Sequence, residues 1–268
     1  MAMARSVGFM TATLVRQMAP AAPWCRRLAL FSLVLLIVSG ASHRFGLLET
    51  VPFLWLLGLG GALAFVAFML GVMALLQVWE HGSLGAAMAA GGMVIAAIAL
   101  VPFGISGYRF FEHPQLIDIS TDPENPPQMP LAARARSGVM NAVEPMSAES
   151  QAMQQQDYPE VTGRRYEYTA DNVIEVVRAM MRERGWQPQG PEGLQLAGAS
   201  VTLEGVAHSY LLGFPSDVAI RIEDDQAATF VDMRSASRYG RHDLGDNAQR
   251  IQRFLKELDE RMAFLAPV

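Results

Sequence analysis

The stretch VDMRSASRYGRHDLGDNAQRIQRF, residues 231–254, decides how this chain folds. Residues Thr229 to Ser235 alternate, with Val231, Met233 and Ser235 on one side and Phe230, Asp232 and Arg234 on the other. A period of two marks a half-buried strand. After a basic, hydroxyl-rich loop, Asp243 is placed to cap a helix beginning at Leu244, and Asp246 adds negative charge at its positive end. Leu244, Ala248, Ile251, Leu255, Leu258 and Met262 then recur at three- and four-residue steps, which makes one apolar stripe for a sheet to cover.

The same stretch carries the chemistry worth testing. Arg234, Ser235, Ser237, Arg238, Arg241, Asn247 and Arg250 surround the expected helix start. Guanidinium forks beside outward-pointing amides suit a phosphate or carboxylate, so these residues form a candidate anion site. The competing expectation pairs Arg234, Arg238 and Arg250 with Asp232, Asp243 and Asp246, and has the serines close the turn. At DMRSASRYG (232–240), DLGDNA (243–248) and Arg250-Ile251 the chain resembles domain-of-unknown-function family 1499. The likeness extends back through Phe214, Asp217–Arg221, Tyr158–Val161 and Asp118–Asp122, and so spans about residues 112 to 262. Ser216 stands where many relatives carry an acid, and the cysteines some carry near the domain start are missing. The resemblance implies a membrane-anchored bacterial protein and supplies no reaction.

Upstream, composition changes. The chain of 268 residues is 51% hydrophobic with a mean hydropathy of +0.20, yet nearly all its acids follow residue 110. A net charge of −5 argues against a nucleic-acid partner. Leu28–Ser42, Val51–Trp79 and Gly82–Tyr108 lack acidic and basic side chains apart from Glu80 and His81 between the last two, so three membrane helices are expected, at about 28–45, 52–79 and 83–108. The first apolar run is short, and Trp24 with Arg26 and Arg27 can extend it into the interface. Read instead as a signal peptide, it would be cleaved after Ser39-Gly40-Ala41. Small residues four apart (Gly60 and Ala64, Gly85 and Ala89, Gly92 and Ala96) are expected at helix contacts. Arg5, Arg16, Arg26 and Arg27 before the first span, against Arg44 after it, place residues 1–27 in the cytoplasm. The tail then lies outside, periplasmic or extracellular, in a multi-pass protein of the bacterial inner membrane.

Residues 109–160 are rich in proline and lack any apolar period, so they read as a linker whose middle, 132–156, is disordered or loosely helical. Asp118 and Asp122 read as turn formers before Pro123 rather than as calcium ligands. Residues 161–268 form the last domain: strand 164–168, a helix from Thr169 or Asp171 to Arg184, then strands at 194–196, 201–207, 210–214, 218–223 and 229–235. Regular hairpin register sets Arg221 beside Asp232 as an exposed ion pair. The expected fold is thus N-terminal all-α transmembrane helices plus a C-terminal α+β domain, an antiparallel sheet with two helices on one face.

No cofactor or metal motif accompanies this pattern; Gly190, Gly193 and Gly198 are not ordered as a phosphate loop. The leading expectation is a non-enzymatic membrane protein that binds an anionic small molecule, a lipid headgroup or a protein partner, with membrane lipid always at hand. The alternatives are a membrane-anchored hydrolase using Asp232, Ser237 or His242, and a structural or assembly factor.

Overall fold

Unbroken apolar composition builds the first three helices of the computed structural model, which describes residues 16–190 and 200–264. They are α1 (Ala21–Arg44), α2 (Thr50–His81) and α3 (Ala86–Glu112), each long and apolar enough to cross a membrane. Gly82, in the left-handed region at φ +63°, ends α2. Five of the six expected small residues, Gly60, Ala64, Ala89, Gly92 and Ala96, are buried, while Gly85 is half-buried just ahead of α3. A Cβ on Gly92 would sit 2.5 Å from Cys25 Sγ, and one on Gly71 would sit 2.1 Å from Met93 Cγ. Only a hydrogen there lets the helices approach so closely. Many of the Leu, Phe, Val and Ile side chains are exposed instead, which suits a lipid solvent, though Phe53 is fully buried.

The chain divides into two compact units, one of the described residues up to Ser42 with Gly46–Phe103, the other of His43–Phe45 with Gly104 onward. In the second, β1 (Asp118–Ser120), β2 (Arg164–Tyr166), β3 (Ser200–His208), β4 (Pro215–Asp224) and β5 (Thr229–Ser237) form one antiparallel sheet. Its order is β1-β5-β4-β3, and β2 joins the same edge of β5, beside its first half. Two amphipathic helices, α6 (Ala170–Glu183) and α7 (Asp246–Ala263), cover one face. Val173, Val177, Ile251, Phe254 and Leu258 meet Val218, Ile220, Val231 and Met233 there, all fully buried. Each such side chain stabilises the fold by about 1.5–3 kcal/mol relative to exposure. Gly185, at φ +72°, stops α6, and Trp186 folds under it to stack on Phe254 at 5.5 Å.

Three expectations change. The proline-rich segment does not stand apart as a linker. It supplies β1 and two short helices, α4 (Pro130–Ala135) and α5 (Ala148–Asp157), all within the second unit. Leu116, Ile119 and Tyr158 enter the main core, while Met129 and Ala132 pack with Ala219 and Ala236 on the other face of the sheet. Side-chain contacts at long sequence separation order this segment, which is why it shows no period. Residues 209–214 form a turn, not a strand, because Ser209 Oγ accepts from the Phe214 amide and the Gly213 amide donates to the Ser209 carbonyl. Helix α7 begins at Asp246, since Leu244 at φ +56° and Gly245 at φ +79° are left-handed. The N-cap position therefore falls on Gly245 rather than Asp243, though the Asp243 carboxylate still accepts from the amides of Gly245 at 2.8 Å and Asn247 at 2.9 Å. The expected strand at 194–196 lies outside the described residues.

Candidate functional site

The pleat of β4 and β5 turns Arg221 and Arg234 away from the core helices, toward the face crossed by residues 118–147. Arg234 is buried. Its Nη2 lies 2.6 Å from Asp118 Oδ2 and donates to the Glu144 carbonyl at 2.8 Å, while Nη1 donates to the Pro127 carbonyl at 3.3 Å. Arg221 donates to Asp122 and Asp232, each at 2.9 Å, and to the Asn125 carbonyl. The expected register pair with Asp232 is therefore present, but the Arg221 side chain is largely buried and shared with the proline-rich segment. Thr121 links the same parts, donating from Oγ1 to Asp232 Oδ1 and accepting from the Met233 amide.

A third cluster lies where β4 begins. The buried carboxylate of Asp217 takes Arg136 Nε at 2.7 Å on one oxygen and Arg238 Nη2 at 2.6 Å on the other. Arg136 also donates to the carbonyls of Asn141 and Ala236. Glu204 on β3, also buried, accepts from the amides of Leu131 and Ala132 at the start of α4. These clusters fasten 118–147 to the sheet as a strap.

The expected pairings of Arg234 and Arg238 with Asp232 and Asp243 are thus replaced by Asp118 and Asp217. Both new partners are far off in sequence, beyond the reach of a local charge pattern. Arg250 is different. Its Nη1 donates to Asn247 Oδ1 at 2.6 Å and Ser235 Oγ at 2.9 Å, and among the described residues no carboxylate lies within ion-pair distance of it. Asp246, its expected partner, binds Arg109 instead, at 3.0 Å. Ser235 Oγ donates to Asn247 Oδ1, and Asn247 Nδ2 donates to Ser237 Oγ and the Ile117 carbonyl. Ser235, Ser237, Asn247 and Arg250 therefore meet in one network, with Arg234 and Arg238 tied elsewhere. Arg241 is exposed in the loop before the helix.

Burial drives the Arg250 guanidinium below its ordinary range, against the pull of Asp246 and Asp243. Burial also raises the Asp243 carboxyl, against the amides of Asn247 and Gly245 that hydrogen-bond it. His208, on the strand end nearby, is held low by burial and by the charges of Arg44, Arg238 and Arg250.

The hydrolase candidates are not assembled. His242 Nε2 lies 3.1 Å from the His113 carbonyl, and its Nδ1 accepts from the Leu244 amide at 2.9 Å. Both ring nitrogens are thereby used on backbone groups, Asp232 is held by Arg221 and Thr121, and Ser237 accepts from Asn247. Among the described residues no three His, Cys, Asp or Glu side chains are grouped to hold a metal ion. A groove of about 220 Å³ lies beside β1, lined by Leu116, Asp118, Pro145, Met146, Ser147 and Ser150 among others.

A family model described as "Protein of unknown function (DUF1499)" matches residues 118–258. That is just over half of the chain, and it begins at β1 and ends within α7. The chain belongs to this family. The match takes in the strap, so the family's domain starts with the proline-rich segment rather than after it. No curated protein matches the chain. Among solved structures it is similar to CalU16 from Micromonospora echinospora, at 15% identity over 37% of this chain and 77% of that one, with a TM-score of 0.22.

Proposed function

We propose that this DUF1499 protein is a membrane-anchored, non-enzymatic binding protein whose domain lies on the extracytoplasmic side and takes an anionic group at Arg250. One observation carries the reading: Arg250 is the motif arginine inside the domain whose hydrogen-bond partners, Ser235 and Asn247, are neutral. A half-buried guanidinium whose direct partners are neutral is costly to keep charged, and a phosphate or carboxylate would add a direct counter-charge to the more distant pull of Asp246 and Asp243. Arg241, exposed in the adjoining loop, offers a second cation. Sidedness rests on the arginines ahead of α1, which favour a cytoplasmic N-terminus and, after three crossings, an external domain. The hydrolase alternative has less support, because His242 has no ring nitrogen left to serve as a base toward Ser237.

The test is a titration of the full-length protein in nanodiscs with inorganic phosphate, and in parallel with phosphatidylglycerol in the disc, read by thermal unfolding of the domain. A ligand at a hundred times its Kd stabilises by about 2.7 kcal/mol. The response is expected in the parent and the Asp122→Asn variant and lost in Arg250→Gln. An Arg250→Gln protein that responds like the parent would remove the proposal. Phosphate and lipid arms that differ would identify the source of the anion.

A further inference from the structure

We propose that the β3–β4 turn, Ser209–Phe214, is a foot that enters the headgroup layer of a bilayer, with Tyr210 and Leu211 as the inserted side chains. This rests on α1–α3 crossing that bilayer and is independent of any ligand at Arg250. Strand register places the turn. Asp118, at the start of β1, pairs with Ala236 near the end of β5; Ser237 pairs with Ser216 at the start of β4; and Ser216 pairs with Ala207 at the end of β3. The turn and the β5–α7 loop therefore share one end of the sheet. Only residues 113–117 separate α3 from β1, so this end stays within on the order of 20 Å of the last turn of α3. Contacts bring it closer: the Phe110 and His242 rings lie 4.9 Å apart, and His43 Nδ1 lies 2.6 Å from the Leu212 carbonyl.

The turn is also built to hold its apex out. The Ser209 amide donates to the Phe214 carbonyl at 2.9 Å, Ser209 Oγ accepts from the Phe214 amide at 2.9 Å, and Gly213 takes φ +74°. Tyr210 is nonetheless 93% exposed and Leu211 69%. An apolar pair displayed on a closed turn calls for a partner surface. Charge and position identify it. A tyrosine suits the membrane–water boundary, and exposed Arg44 and Arg241 at this end suit anionic headgroups. The opposite end of the sheet, the β4–β5 turn, carries Asp224 and Asp225 instead.

The experiment uses the full-length chain in nanodiscs of phosphatidylcholine and phosphatidylglycerol. Single thiols for a polarity-sensitive fluorophore are introduced by Leu211→Cys, Gln226→Cys in the opposite turn, and Val94→Cys on the outer surface of α3. Cys25 is fully buried, and the parent chain gives the labelling blank. The Leu211 label is expected to be blue-shifted and quenched by headgroup spin-labelled lipid several-fold more than the Gln226 label. Equal behaviour at Leu211 and Gln226 overturns the proposal. So does a blue shift at Leu211 without lipid quenching, which would mean that protein covers the turn. The Val94 label, read with acyl-chain spin labels, reports separately whether the helices lie in the bilayer. If it is not quenched, the membrane reading fails, and the foot with it.

Discussion

Arg234 reads in sequence as a ligand-binding residue and acts in the fold as a fastening one. Its bidentate carboxylate lies 116 positions away, so a reading that pairs charges by proximity chooses Asp232 instead. Removing one member of a buried ion pair typically costs about 3–5 kcal/mol, because the survivor is left uncompensated. Arg234→Ala is therefore expected to destabilise the domain by about that much, and the Asp118→Ala/Arg234→Ala double variant by less than the sum of the two single changes. A double-mutant cycle from denaturant unfolding checks this. Arg241→Ala, at an exposed position, is expected within about 0.5 kcal/mol of the parent in the same assay. Tyrosines provide a second residue-scale test. Burial pushes the phenols of Tyr158 and Tyr166 far up, and for Tyr166 the hydrogen bond it donates to Asp259 at 2.6 Å acts in the same direction. Above the ordinary tyrosine pKa of about 10 the folded state thus holds more protons than the unfolded one, so stability falls as pH rises. Alkaline titration followed by near-ultraviolet absorbance is expected to show a component that appears only with unfolding, and Tyr158→Phe with Tyr166→Phe removes it.

At the scale of elements, legibility followed periodicity. The alternation in β5 and the apolar stripes of α6 and α7 are visible in the chain, and these elements form within a few residues of where the pattern puts them. The strap is not visible, because its order comes from contacts with the sheet rather than from its own pattern. Gln154 is the clearest case. Its side-chain amide accepts from the Ser120 amide at 3.1 Å and donates to the Ser120 carbonyl at 2.6 Å, closing the open edge of β1 as another strand would. Gln154→Ala leaves both Ser120 groups buried without these partners. It is expected to destabilise the domain by about 1–3 kcal/mol and to speed amide exchange at Ser120 before any other strand residue. The candidate site divided along the same line. The Ser235–Asn247–Arg250 network is local to the β5–α7 unit, and those residues do come together. Arg234 and Arg238 were drawn away by Asp118 and Asp217, which no local spacing announces.

On the scale of the whole molecule, two kinds of order coexist in one chain. The helical part is held by small residues and close backbone approach, and Gly92→Leu should break it, since even a Cβ there meets Cys25 and the backbone of Arg26 at 2.5–3.0 Å. Loss of monodispersity in detergent, with the secondary structure of the C-terminal domain retained, is the expected outcome. The domain, by contrast, is held by a covered sheet and by arginines that bind its own proline-rich strap. Hydrogen–deuterium exchange of the full-length protein in lipid nanodiscs tests that claim most directly. The account predicts that peptides from 118–121 and 150–157 are protected along with β5, and that Arg234→Ala releases 118–147 while α6 and α7 stay protected. Exchange of 118–157 at the rate of an unfolded chain in the parent protein would contradict it.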